Sequence, residues 1–98
     1  MPELTTSSLI VAVRDQLSSN LGGETVILHM GRGVYHGLSE VGTRVWALIQ
    51  EPTSVGEICR RLLGEFDVDE ERCRRAVLDL LREMEAAGLI ERTDESAA

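Results

Sequence analysis

The side chains most often used for chemistry are scarce in this chain: two histidines, two cysteines and one tyrosine. His29 and His36 could face each other across a hairpin, but without a nearby carboxylate or thiolate they make a poor metal pair. Cys59 and Cys73 are separated by thirteen residues, and each opens a Cys-Arg-Arg triplet in a helical pattern. A lone pair of this kind lacks the four-ligand spacing of a structural zinc site. Neither thiol has a positioned base that would make it a nucleophile. Both read more simply as small buried hydrophobes, each followed by solvated arginines. No catalytic residue, no metal ligand and no cofactor is therefore expected, and the chain does not read as an enzyme.

What remains is a surface for binding. The stretch 33-GVYHGLSEVGTRVW-46 changes character at Ser39. Before it lies a short β pattern with the tyrosine; after it a helix begins that carries the only tryptophan. Gly33, Val34, Tyr35, His36, Gly37 and Leu38 are the candidate contact residues of the strand. Gly37 removes a side chain and permits close backbone approach. Tyr35 offers an aromatic face and a hydroxyl, or is merely packed over its own sheet. If this strand is a free edge, its unpaired backbone groups are a template for a visiting strand.

The elements around it follow from the apolar pattern. Residues 8–13, SLIVAV, are rich in β-branched side chains and read as a strand. The polar run DQLSSNLGGE reads as a loop turning at Gly22-Gly23. Residues 25–30, TVILHM, form a second strand, and Gly31-Arg32-Gly33 connects it to 34-VYHGL-38 as a hairpin. Ser39 caps a first helix that stops before Pro52, with Val41, Val45, Trp46 and Ile49 on one face. Ser54 and Glu57 form a capping box that opens a second helix reaching Glu65, with Val55, Ile58, Cys59, Leu62 and Leu63 inward. Asp69 caps a third helix from about Glu70 to Ala87, which Gly88 stops; Leu89 and Ile90 fold back as an apolar tail. The fold class is α+β: a three-stranded antiparallel sheet followed by three helices. The last two helices and the returning segment have the outline of a winged helix. One domain over residues 8–92 is expected, with loose ends at 1–7 and 93–98.

On the third helix, Cys73, Ala76, Val77, Leu80, Met84 and Ala87 make one core stripe. Leu81 lies at the edge of that stripe and Leu78 outside it, on the flank shared with Arg74, Arg82 and Glu85. The opposite flank, with Arg72, Asp79 and Glu83, is polar. Leu78 is either a scattered surface leucine or, with Leu81, the wall of a groove rimmed by Arg74 and Arg82. Leucines flanked by arginines suit a peptide better than DNA, whose bases ask for Asn, Gln or Arg near the helix start.

Composition limits the partners. The net charge of −7 disfavours general affinity for nucleic acid or an anionic membrane. Hydrophobic residues at 43% and charged residues at 28% suit a globular chain. No apolar run is long enough to span a bilayer and no signal-peptide layout appears, which places the chain in the cytoplasm. A small winged-helix DNA-binding protein using Arg72, Arg74, Arg75 and Arg82 is the alternative. A structural subunit whose groove is filled by a second copy is a third reading.

The run from Val34 to Asp69 resembles the PqqD-like family, the leader-binding domains called RiPP recognition elements. The resemblance lies in the Leu38-Ser39 step, Gly42 and Trp46, in the segment Thr53 to Asp69, and in the third helix with its Gly-Leu-Ile exit from Ala76 to Ile90. It implies a three-stranded sheet packed on three helices. It also implies binding of a precursor leader peptide between the third strand and the third helix. A chain of this size without a fused protease is most similar to the leader-binding protein of lasso peptide clusters. Its implied partners are the precursor leader peptide, a transglutaminase-like cysteine leader peptidase and, indirectly, a lasso cyclase.

Overall fold

The computed structural model describes residues 4–5, 7–22 and 24–93. The order of elements is β1 (Leu9–Ala12), β2 (Gln16–Leu21), β3 (Glu24–His29), β4 (Val34–Leu38), α1 (Glu40–Leu48), β5 (Thr53–Ser54), α2 (Val55–Glu65), α3 (Glu70–Ala86) and β6 (Ile90–Arg92). The strands form two antiparallel sheets of three, in the orders β2-β3-β4 and β5-β1-β6. The architecture is α+β, with a three-stranded antiparallel sheet leading into three helices, as the sequence leads one to expect.

The membership of that sheet differs from expectation. The SLIVAV strand is β1, but it pairs with β5 and β6 rather than with the hairpin. Ile10 and Ala12 point into the core from it. The third strand of the hairpin sheet is instead β2, drawn from the polar run expected as a loop. All of its residues but Gln16 are exposed. Its strand form therefore comes from the backbone ladder that β3 offers and not from burial, so no apolar alternation announces it. The β2–β3 turn does fall at Gly22, where φ is +63°; Gly23 lies outside the described residues. The apolar tail folds back as expected, Leu89 and Ile90 being buried and β6 closing the second sheet on β1.

His29 and His36 do not face each other across the hairpin. His29 pairs with Val34 and His36 with Ile27. Both lie on the inner face of the sheet, two positions apart in register.

Each helix starts where its cap places it. The Ser39 hydroxyl accepts from Gly42 N–H at 3.4 Å, Ser54 Oγ from Glu57 N–H at 3.1 Å, and Asp69 Oδ1 from Arg72 N–H at 2.8 Å. The Glu57 carboxylate is taken by Arg60 and Arg61. Gly42 is a packing requirement: a Cβ there would stand 3.2 Å from Leu38 Cβ, so its absence lets α1 close onto the end of β4.

The core joins both sheets to all three helices through Ile10, Ile27, Val45, Ile49, Ile58 and Leu81. Trp46, Leu62, Val77 and Met84 are buried as the helical periodicity predicts, and so are Cys59 and Cys73. Two expectations fail here. Leu81, assigned to a groove wall, is 0% exposed and sits at the centre of the core, whereas Leu80, assigned to the core, is only half-buried. Of the N-terminal residues expected to be loose, Leu4 is buried against the core. Residues 94–98 lie outside the described residues.

Candidate functional site

β4 is an edge strand. It pairs with β3 along five residues, and no described strand lies on its other side. An antiparallel edge strand turns alternate N–H and C=O groups away from its neighbour, leaving them available to an added strand. Val34 is 45% and Tyr35 69% exposed, and space around Gly37 is open on the side where a Cβ would stand. His36 is half-buried on the inner face, and Leu38 is buried under α1. Gly33, exposed with φ +66°, ends the turn that starts the strand. The strand candidates 33–38 thus lie together along one accessible backbone edge.

Beside the C-terminal end of β4 opens an apolar cleft of about 510 Å³. Gly37, Leu38 and Val41 form one side, the Phe66–Val68 link forms an end, and Arg72, Ala76 and Leu80 of α3 form the other side. Cys73 and Val77 lie at its base. Burial pushes the Cys73 thiol above its ordinary range, and burial together with the Cys73 thiol pushes Cys59 up to about 11. Both thiols are therefore protonated at neutral pH, and the base of the cleft is uncharged. Val41 and Val68 at the mouth are 40% and 43% exposed, a cost in apolar exposure that a visiting side chain would relieve.

The wall is held from outside. Arg44 Nε and Nη2 donate to the two oxygens of Glu65 at 2.7 and 2.8 Å, fastening α1 to the end of α2 just before the Phe66 link. The hydrogen bond between them holds the Glu65 carboxyl below its usual range and raises the Arg44 guanidinium above its own. Arg72 stands at the cleft with no ion pair among the described residues.

The helix residues proposed from sequence do not line this cleft. Arg74, Leu78 and Arg82 gather with Glu71 and Arg75 around a shallow depression of about 200 Å³ on the far side of α3. Arg82 is paired with Asp79 at 3.3 Å. Glu85 is turned towards β6, where Arg92 binds it at 2.8 and 3.1 Å. Leu81 lies beneath, in the core. The flank that faces β4 is the other one, carrying Arg72, Ala76 and Leu80. The angles between residues on a helix follow from the sequence. The zero of rotation does not, and turning the stripe so that Leu81 is central brings Leu80 to the cleft. A sequence signal for part of the cleft existed in Val68, apolar in a link where no helical stripe needs it. Val41, read from the sequence as part of the inward face of α1, is instead 40% exposed and lines the cleft.

Among the described residues, no group of three or more His, Cys, Asp or Glu side chains is placed to hold a metal ion. No described helix is long and apolar enough to cross a membrane.

Comparison with solved structures finds the chain described as "TbiB1 in Complex with the TbiA(beta) Leader Peptide". It superposes with a TM-score of 0.77 at 32% identity, covering 83% of this chain and 94% of that one. A comparison with curated proteins finds no match. The family model described as coenzyme PQQ synthesis protein D (PqqD) matches residues 24–90. That span runs from the first residue of β3 through the edge strand, the cleft and α3 to the start of β6, so the match takes in both walls of the site: this chain belongs to the PqqD family.

Proposed function

We propose that the chain is a RiPP recognition element: a non-catalytic protein that binds the leader of a ribosomally made precursor, of the lasso peptide type, and presents it to a separate leader peptidase. The observation that carries this reading is the free edge of β4 standing beside an apolar cleft whose far wall is α3. An extended peptide added to β4 gains backbone hydrogen bonds whatever its sequence. Selectivity then comes from the side chain that drops into the cleft. The similar TbiB1 chain is in complex with a leader peptide, which supports a leader peptide as the ligand.

Presentation to the peptidase has its own support. Leu17, Leu28 and Tyr35 are cross-strand neighbours on the outer face of the β2-β3-β4 sheet. Leu17 is 60% exposed and Tyr35 69%. A leader strand added to β4 continues this apolar row by one more strand. A partner seated on the row therefore touches the carrier and its cargo together. A transglutaminase-like cysteine peptidase is the partner assigned to this face, with a lasso cyclase acting afterwards and only indirectly. The cytoplasm, where precursors are made, is the assigned location.

The test uses fluorescently labelled peptides tiled along the precursor encoded beside this chain, with anisotropy as readout and duplex DNA as control. One leader segment should bind at micromolar concentration or tighter, and its binding should perturb the amides of β4 and of Ala76 and Leu80. Salt-sensitive binding to random duplex, with no peptide bound, would replace this reading by a DNA-binding one. Tyr35→Glu should leave leader binding intact and slow cleavage by the peptidase. If cleavage is unaffected, the outer face is not the docking surface.

A further inference from the structure

The space between β4 and α3 has unlike ends. The apolar cleft lies at the C-terminal end of β4. At the N-terminal end, one arginine crosses to the helix.

The β3–β4 turn is held at three points. Met30 N–H donates to Asp15 O at 3.0 Å, Gly33 N–H to His29 O at 2.7 Å, and Arg32 N–H to His29 Nδ1 at 3.2 Å. From this fixed turn the Arg32 side chain runs to the end of α3, where Nη1 donates to Ala86 O at 3.3 Å. Its guanidinium lies over Gly88: a Cβ at that position would be 3.1 Å from both Cζ and Nη2. Gly88 has φ +77°, the left-handed conformation that ends the helix. α3 has no basic residue in its own last turn. Its terminal carbonyls, the negative pole of a 17-residue helix, are met by a cation from another element.

We propose that Arg32 is a positioning and specificity-determining residue of the groove. By clasping the C-terminus of α3 it holds the start of β4 at a set distance from the helix. It also closes that end, so that an added strand pairs along Val34–Leu38 and cannot run on past Gly33 between the two elements. The clasp is a property of the free chain. Its effect on peptides rests on the leader-binding reading above.

Three variants separate this from a merely structural role: Arg32→Ala, Gly88→Ala and the two together. Gly88→Ala pushes the guanidinium away from the other side, and it also strains the backbone in either background. The coupling between the two changes is therefore the readout. In the free chain, Arg32→Ala should speed hydrogen exchange of the β4 amides paired to β3 by about tenfold, with circular dichroism unchanged. Gly88→Ala should speed it more in the parent than in the Arg32→Ala background, where only the backbone strain remains. Unchanged exchange, or effects that simply add, would overturn the clasp.

The probe for the groove is the labelled TbiA(β) leader peptide. Arg32→Ala should weaken its binding about tenfold, the size expected for losing one charge-assisted contact and the order it imposes. It should also lengthen the stretch of peptide amides protected on binding. A parent that binds this peptide and a variant that binds it equally well, with the same protected stretch, would overturn the specificity role. A parent that binds neither this peptide nor any segment of the neighbouring precursor would count against the leader reading itself, while the exchange cycle still decides the clasp.

Discussion

Leu80 and Leu81 are adjacent on α3 and occupy opposite environments: Leu81 is wholly buried between helix and sheet, while Leu80 is half-buried on the wall of the cleft that faces β4. About 100° of helical rotation separates a residue that holds the fold from one that lines the cleft.

Stability should follow that division. Leu81→Ala should cost about 2–5 kcal/mol, the range for truncating a fully buried leucine and leaving a cavity. Leu80→Ala, which empties space already open to solvent, should cost about 1 kcal/mol or less. Urea unfolding of both variants checks the pair; equal losses would mean that the cleft closes in solution and Leu80 belongs to the core.

Peptide affinity should follow it in reverse. Leu80→Glu places a charge where an apolar leader side chain would dock, and should abolish measurable binding in a variant whose melting matches the parent. Leu78→Glu, on the far flank, should bind as the parent does. Charge reversal at Arg72, beside the cleft, should change affinity more than reversal at Arg74 or Arg82. Calorimetric titration of the bound leader segment against these variants decides between the two flanks of α3.

The Arg44–Glu65 pair gives a dependence on pH. The Glu65 carboxyl is held below the ordinary value of 4.5, chiefly by its hydrogen bond from Arg44. A lowered folded value means that the bridge stabilises the chain above 4.5 and is lost as pH falls through that lowered value. Arg44→Ala should therefore lower the melting temperature at neutral pH, with the difference from parent shrinking as pH falls through that lowered value and vanishing once Glu65 is protonated in both. A difference that persists in acid would show that Arg44 acts by packing and not by charge.

Cys59 predicts the opposite limb. Its thiol is raised from 9.0 to about 11, first by burial and then by Cys73. In the unfolded chain it ionises earlier, so stability should fall as pH rises from 9.0 to about 11 and level off beyond. Native protein at mildly alkaline pH should resist iodoacetamide, and urea-unfolded protein should react readily. Rapid labelling of the folded chain would mean that α2 and α3 separate often enough to expose the pair.

Much of the framework was legible in the residues. Ser39, Ser54 and Asp69 mark three helix starts because a side-chain oxygen next to an apolar period is a local device that needs no tertiary context. That residues 34–38 form a strand ending at the Ser39 cap was legible in the same way. That this strand is an edge was not, because an earlier strand could have paired on its other side, and only the pairing of β1 and β2 elsewhere leaves it free. β2 was not legible. QLSSNL lies almost wholly in solvent, and only the ladder with β3 makes it a strand. Its presence moves SLIVAV out of the hairpin sheet and into pairing with β5 and β6.

The sequence by itself determined the three helices, the hairpin carrying the edge strand, most of the buried set, and the family likeness that spans them. These rest on periodicity, caps and turns, each decided within a few residues. Only the tertiary structure decided which flank of α3 faces β4 and which strands share a sheet. It also decided that Val41, Phe66, Val68 and Arg72 come together around one cleft. A helical stripe fixes the angles between residues but not the direction in which the stripe is turned. That direction is settled when Leu81, Val77 and Met84 find their partners across the core, and it is this rotation that carries Leu80 to the wall of the site.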